Sequence, residues 1–187
     1  MKSARTEAIL MSSLFRRTGA REAAVLLALA WFIPFAIHLV PWSGARPLGA
    51  YLLPVFWTTL VAVYFHGEIV GLTVGLFAPI LNLIVTGQPA AGYFWKTCAE
   101  VVVFALLMAW VARRTPRILM LAAPFAYAIA KTVAAAVLAP DALFGSAAAL
   151  GGFFGHMVTG NLPGLVALAA INAGLVWFYP KGSRGEN

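Results

Sequence analysis

Apolar runs long enough to cross a bilayer fill this chain from Ala23 to Tyr179, separated by short segments rich in turn-forming residues. A hydrocarbon core about 30 Å thick requires roughly 20 apolar residues per spanning helix, so the chain has room for about six spans with short connections. With 62% hydrophobic and 10% charged residues, it also lacks the polar surface to coat a soluble globule of 187 residues. Helices are the economical choice, because lipid offers no partner to an open strand edge and the runs lack the alternation of a barrel strand. The expectation is an all-α polytopic membrane protein, six transmembrane helices in one bundle.

The spans are placed at Ala23 to Val40, Leu48 to Phe65, Ile69 to Val85, Gly92 to Ala112, Ile118 to Leu138, and a last one ending near Tyr179. Between them stand Pro41, Gly44 and Pro47, then His66 and Gly67, Gly87 and Pro89, Thr115 and Pro116, and Pro140 and Asp141. The last segment, 147–179, would measure about 50 Å as one helix, so it must break, tilt or protrude. Gly160, Asn161, Pro163 and Gly164 mark the break, with Asn161 or Leu162 near a cap and Pro163 in the first turn of the final span. The stretch from Pro140 to Gly160 then reads as a small-residue loop or partial helix over the bundle mouth.

Lysine and arginine placement orients the bundle. Lys2, Arg5, Arg16, Arg17 and Arg21 precede the first span, Arg113, Arg114 and Arg117 follow the fourth, and Lys181 and Arg184 follow the sixth. That puts ten of the thirteen basic residues on one side and both termini in the cytoplasm, across a cell (cytoplasmic) membrane. The chain divides into a basic cytoplasmic segment at 1–22, a transmembrane domain at 23–179 and a cytoplasmic tail at 180–187. Ile9, Leu10, Met11, Leu14 and Phe15 give the first segment the pattern of a short interfacial helix. A cleaved signal peptide is not expected, since five more runs follow the first and no small-residue cleavage motif does. The net charge of +7 is a topology signal and an attraction to anionic lipid, not a nucleic-acid footprint.

Ionisable residues inside a membrane are costly and are usually paired or functional. Glu100 in the fourth span and Lys131 in the fifth each lie about 12 Å below the outer face, so they can meet, either as a packing ion pair or as the wall of a ligand site. The outer half also holds Trp42, Arg46, Asn82, Trp95, Lys96, His156 and Asn161, which with Glu100 and Lys131 make up the candidate substrate-binding set. The plainer reading of each is an interfacial aromatic belt, a solvated loop charge or a hydrogen-bonded helix end. Basic residues outnumber acidic ones near this level, which favours a ligand with an anionic group. Cys98, the single cysteine, can form no internal disulfide. No zinc-binding spacing, phosphate loop, nucleophile elbow or paired acidic motif is present, so no metal site, cofactor or ATP hydrolysis is expected. Small residues recur four apart at Ala20, Ala24 and Ala28 and again at Gly67, Gly71 and Gly75, a spacing that lets helices approach closely.

Three runs carry a family resemblance: P-L-G-A-Y-L-L-P-V-F from Pro47, H-G-E-I-V-G-L-T-V-G-L from His66, and N-L-I-V-T-G-Q-P from Asn82. With the G-N-L-P-G opening of the last helix and the alanine face of the first, they resemble the substrate-binding S components of energy-coupling factor (ECF) vitamin transporters. The resemblance implies a binder that captures a micronutrient from the outer face. It also implies a transmembrane coupling protein and two cytoplasmic ATPases as partners, docked on the face of Ala20, Ala24 and Ala28. The family's pocket regions hold Trp42, Arg46, Trp95, Lys96, Glu100, His156 and Asn161 here. The final helix lacks the acidic and lysine residues often found after its proline, which leaves the substrate unnamed. The N-terminus lacks the Met-His start of nickel and cobalt members. Two rivals stand beside this reading: a structural scaffold whose polar groups serve packing alone, and, last, an intramembrane enzyme using Glu100 and His156 as acid and base.

Overall fold

A computed structural model describes residues 19–38, 40–41, 43, 51–87, 91–114 and 121–178. Among them are seven helices and one isolated helical turn, with no strand: α1 (Gly19–His38), α2 (Pro54–His66), α3 (Glu68–Thr86), α4 (Ala91–Arg114), α5 (Ala122–Leu138), the turn α6 (Asp141–Phe144), α7 (Ala147–Thr159) and α8 (Leu162–Phe178). The expected interfacial helix before residue 19, the tail at 180–187 and the start of the fifth span at Ile118 lie outside the described residues.

One helix, α5, is turned inside out relative to a helix of a soluble bundle. On α5, Ala122, Ala123, Ala126, Ala130, Ala134 and Ala135 are buried, whereas Phe125, Ile129, Val133 and Val137 are exposed. Small residues facing inward let backbones approach, and large apolar ones facing outward suit lipid. Gly71 shows the same logic on α3, for a β-carbon there would run into Val63 of α2. One turn on, a β-carbon at Gly75 would crowd Val101 of α4 at 3.2 Å and Thr59 of α2 at 3.5 Å. Gly71 and Gly75 are thus consumed by internal packing, while Gly67, with φ 85°, serves the turn between α2 and α3.

Two apolar cores result. One joins α1, α2 and α3 through Ala23, Leu26, Ala30, Ala62, Val70, Val74 and Ala78. The other joins α2, α4, α5 and α8 around Leu60, Val101, Phe104, Tyr127 and Leu168. Within the second, Phe56 of α2 meets Phe104 of α4 edge-on at 5.3 Å and Tyr127 of α5 edge-on at 4.9 Å, an arrangement that suits the ring quadrupoles.

Two helices, Glu68–Val85 and Gly92–Arg113, are long and apolar enough to cross a membrane alone, and α7 with α8 makes a third if that bent pair is one span. The expected second span is interrupted at Leu53, with Tyr51 and Leu52 helical before it and a new helix opening after it. Pro54 supplies no N–H and disfavours helical geometry in the residue before it, and Leu53 takes left-handed dihedrals with φ 53° and ψ 43°. α2 therefore begins at Pro54 and runs 13 residues, about 20 Å. The indole of Trp57 donates to the Leu52 carbonyl at 3.0 Å and clamps this break. Gly164 in the first turn of α8 sits against it, and a β-carbon there would run into the Tyr51 carbonyl and the Leu53 side chain.

The last segment breaks where its sequence predicts. α7 and α8 meet at 58°, Asn161 lies in the turn, and α8 opens with Leu162 and Pro163. The buried Asn161 amide donates to the Met157 carbonyl at 3.0 Å, satisfying an acceptor near the end of α7 that the helix no longer reaches. Of α7 itself only Met157 is buried, so this helix lies along the bundle more than within it.

Candidate functional site

Glu100 and Lys131 meet across the α4–α5 seam, with Lys131 Nζ 3.7 Å from Glu100 Oε1. The contact is longer than a hydrogen bond, so it is an ion pair held by charge more than by directed bonding. The two partners are unequally sheltered: the Glu100 side chain is 7% exposed and that of Lys131 21%. A long aliphatic stem allows Lys131 to keep its ammonium near the edge of the seam while its methylenes pack inside.

Lys131 also places its ammonium 5.5 Å from the centre of the Tyr127 ring, a cation–π distance. Tyr127 lies one turn earlier on the same face of α5 and is 1% exposed. Its hydroxyl is buried and finds no hydrogen-bond partner among the described residues. Lys96 stands one turn before Glu100 on α4, half-buried, and its charge also bears on Glu100. The seam therefore carries one carboxylate, two ammonium groups and a phenol, with the Phe56–Phe104–Tyr127 cluster packed beside them.

The other expected site residues fall around this seam in different ways. Asn82 is buried on α3. Asn161 is buried at the α7–α8 break, with its amide engaged by Met157. Trp95 is 74% exposed and meets Phe94 edge-on at 5.0 Å, so its ring faces outward. His156 is exposed on the last turn of α7. Trp42 and Arg46 lie outside the described residues. Among the described residues no three of histidine, cysteine, aspartate and glutamate are grouped to hold a metal ion. Cys98 is buried on α4 as a free thiol.

The residues of the expected docking face are described in part. Ala24 and Ala28 are exposed, while Ala23, Leu26 and Ala30 are the α1 residues that pack inward. Nothing is described of the Ala20 side chain. Ala24 and Ala28 are therefore left outside the bundle, whereas Gly71 and Gly75 of α3 are pressed within it.

Two polar positions escaped the sequence reading. Tyr127 is hidden by its type, since tyrosines in membrane helices usually sit at an interface, and only its place one turn from Lys131 hinted at more. Asn172, buried to 2% on α8, carried a clearer signal: an amide in the middle of a helix that is otherwise wholly apolar.

At the opposite end of the bundle Arg113 Nη1 of α4 bonds Glu68 Oε2 of α3 at 2.7 Å. Both side chains are well exposed there, which makes this a helix-end tie between neighbours. Comparison with known proteins adds nothing to this picture, as no family model, curated protein or solved structure matches the chain.

Proposed function

We propose that this protein is the substrate-binding membrane component of an ECF-type importer, which captures a small micronutrient at the outer face of the cell membrane. The observation that carries the reading is the polar seam of Glu100, Lys131 and Tyr127, placed among apolar helices where such groups are expensive. A pair kept only for packing leaves the unpartnered phenol beside it unexplained, whereas a ligand that accepts from the phenol accounts for it. The partial exposure of Lys131 gives the seam an open side. On this reading the chain crosses the membrane six times with both termini inside, and the end of the bundle where α4 begins and α5 ends faces out.

The exposed Ala24 and Ala28 support the second half of the proposal, docking to a transmembrane coupling protein that works with two cytoplasmic ATPases. The cycle would be ligand capture from outside, covering of the seam by the outer loops, and inward release when the coupling complex reorients the bundle. The scaffold reading has one observation in its favour, that Asn161 is already occupied in closing the α7–α8 break.

The test is thermal stability of the detergent-purified protein against a panel of vitamins, heterocycles and divalent metals. A ligand at 100 times its dissociation constant adds about 2.7 kcal/mol. A clear shift with one compound, lost in Lys131→Ala, identifies the substrate and supports the importer. A flat response across the panel transfers the argument to the scaffold.

A further inference from the structure

Resting on the binding role proposed above, we infer that the ligand of the α4–α5 seam is a small monoanion, its carboxylate or equivalent acid group taken by Lys131 and Lys96 and by the Tyr127 hydroxyl.

Two independent observations lack the same thing. Lys131 pairs with Glu100 and Lys96 stands half-buried one turn before Glu100 on α4, so the seam holds two ammonium groups against one carboxylate. Tyr127 presents a buried hydroxyl with no acceptor among the described residues, and a hydroxyl hydrogen aimed at nothing forfeits a bond it would have made to water. One group supplies both deficits: an oxygen acceptor that carries negative charge. A cation would compete with Lys131 for Glu100 and leave the phenol as it is. A neutral ligand could accept from the phenol but would leave the extra charge in the seam.

Lys131 is the element that can change partners. Its 3.7 Å separation from Glu100 is loose, its side chain is the more exposed of the two, and an ammonium is a point charge on a flexible stem. It can turn toward an incoming acid group while staying within the field of Glu100. Glu100 then serves as a positioning residue, holding Lys131 at the seam and offsetting one of the two ammonium charges there. The ring face of Tyr127 against the ammonium restrains the same side chain from below. Phe56 meets the Tyr127 ring edge-on at 4.9 Å and so fixes the ring that carries the hydroxyl.

The test uses the full chain in detergent and three carboxylates as probes, benzoate, nicotinate and butyrate, each beside the amide and the primary amine of its own skeleton. Thermal midpoints are measured for the wild type, Lys131→Met, Tyr127→Phe and the double variant Glu100→Gln with Lys131→Met. Tyr127→Phe keeps the ring packing, and the double variant leaves no lone charge behind, so both are expected to fold. The expected result is a rise of several degrees with at least one carboxylate and none with its amide or amine. That rise disappears in both Lys131 variants, and in Tyr127→Phe the apparent affinity falls about tenfold, as for one lost bond to a charged group. An amine or amide that stabilises as well as its carboxylate overturns the assignment. So does a carboxylate shift that survives in the double variant, or no shift with any carboxylate. If neutral or cationic members of the wider panel bind while the carboxylates do not, the anion assignment falls and the binding role stands. If no compound of any charge binds, both fall.

Discussion

Glu68 and Glu100 are each paired with a cation on the neighbouring helix, and the shorter of the two contacts is the weaker. Arg113 approaches Glu68 to 2.7 Å, but the side chains are 62% and 35% exposed, so water and salt compete for both charges. Lys131 stays 3.7 Å from Glu100, in a place where neither group has much water to fall back on. Contact length does not rank these pairs. What ranks them is the environment to which a partner would be abandoned.

The sharpest test of that contrast is Lys131→Ala, which strands a nearly buried carboxylate and is expected to cost about 3–5 kcal/mol in equilibrium unfolding. Glu100→Ala follows with a smaller loss, because Lys131 is three times as exposed and its stem can carry the ammonium outward. Thermal melts of the two single variants that ranked them the other way would show the pair to be sheltered differently from the structure described. Removing both charges in Glu100→Gln with Lys131→Met should return stability to within about 1 kcal/mol of wild type, since well-packed neutral groups replace a buried pair at little cost. The same double variant should bind none of the probe carboxylates, which separates what the pair does for the fold from what it does for a ligand. The smallest effect belongs to Arg113→Ala, about 0–1 kcal/mol, and it should shrink as salt is raised. A salt-insensitive loss there larger than that of Glu100→Ala would break the comparison.

How far the molecule could be read in advance depends on whether a feature is carried by one helix or by two. The Glu100–Lys131 encounter was legible because both residues are rare in apolar runs and their depths, counted from the turns, agree. The α7–α8 break was legible because Gly160, Asn161 and Pro163 carry it locally. The interruption of the second span at Leu53 was not, although Pro54 was in view. That break also packs closely against Gly164, from a helix more than one hundred residues later, and no local pattern announces that contact. The unpartnered hydroxyl of Tyr127 was invisible for the same reason, because it is a statement about what surrounds α5.

The two small-residue series make the point most plainly. Gly67, Gly71 and Gly75 and Ala20, Ala24 and Ala28 share one spacing and equal claim to be a packing face or a docking face. Gly71 and Gly75 turned out to be pressed against α2 and α4, while Ala24 and Ala28 were left outside the bundle. Hydropathy and turn chemistry act residue by residue, so the chain alone was enough to specify apolar helices and where several of them end. Which face of each helix goes inward is a property of its neighbours. The choice between burying Gly71 and Gly75 and exposing Ala24 and Ala28, and the addition of a buried Tyr127 hydroxyl to the Glu100–Lys131 seam, came only from packing all the helices together.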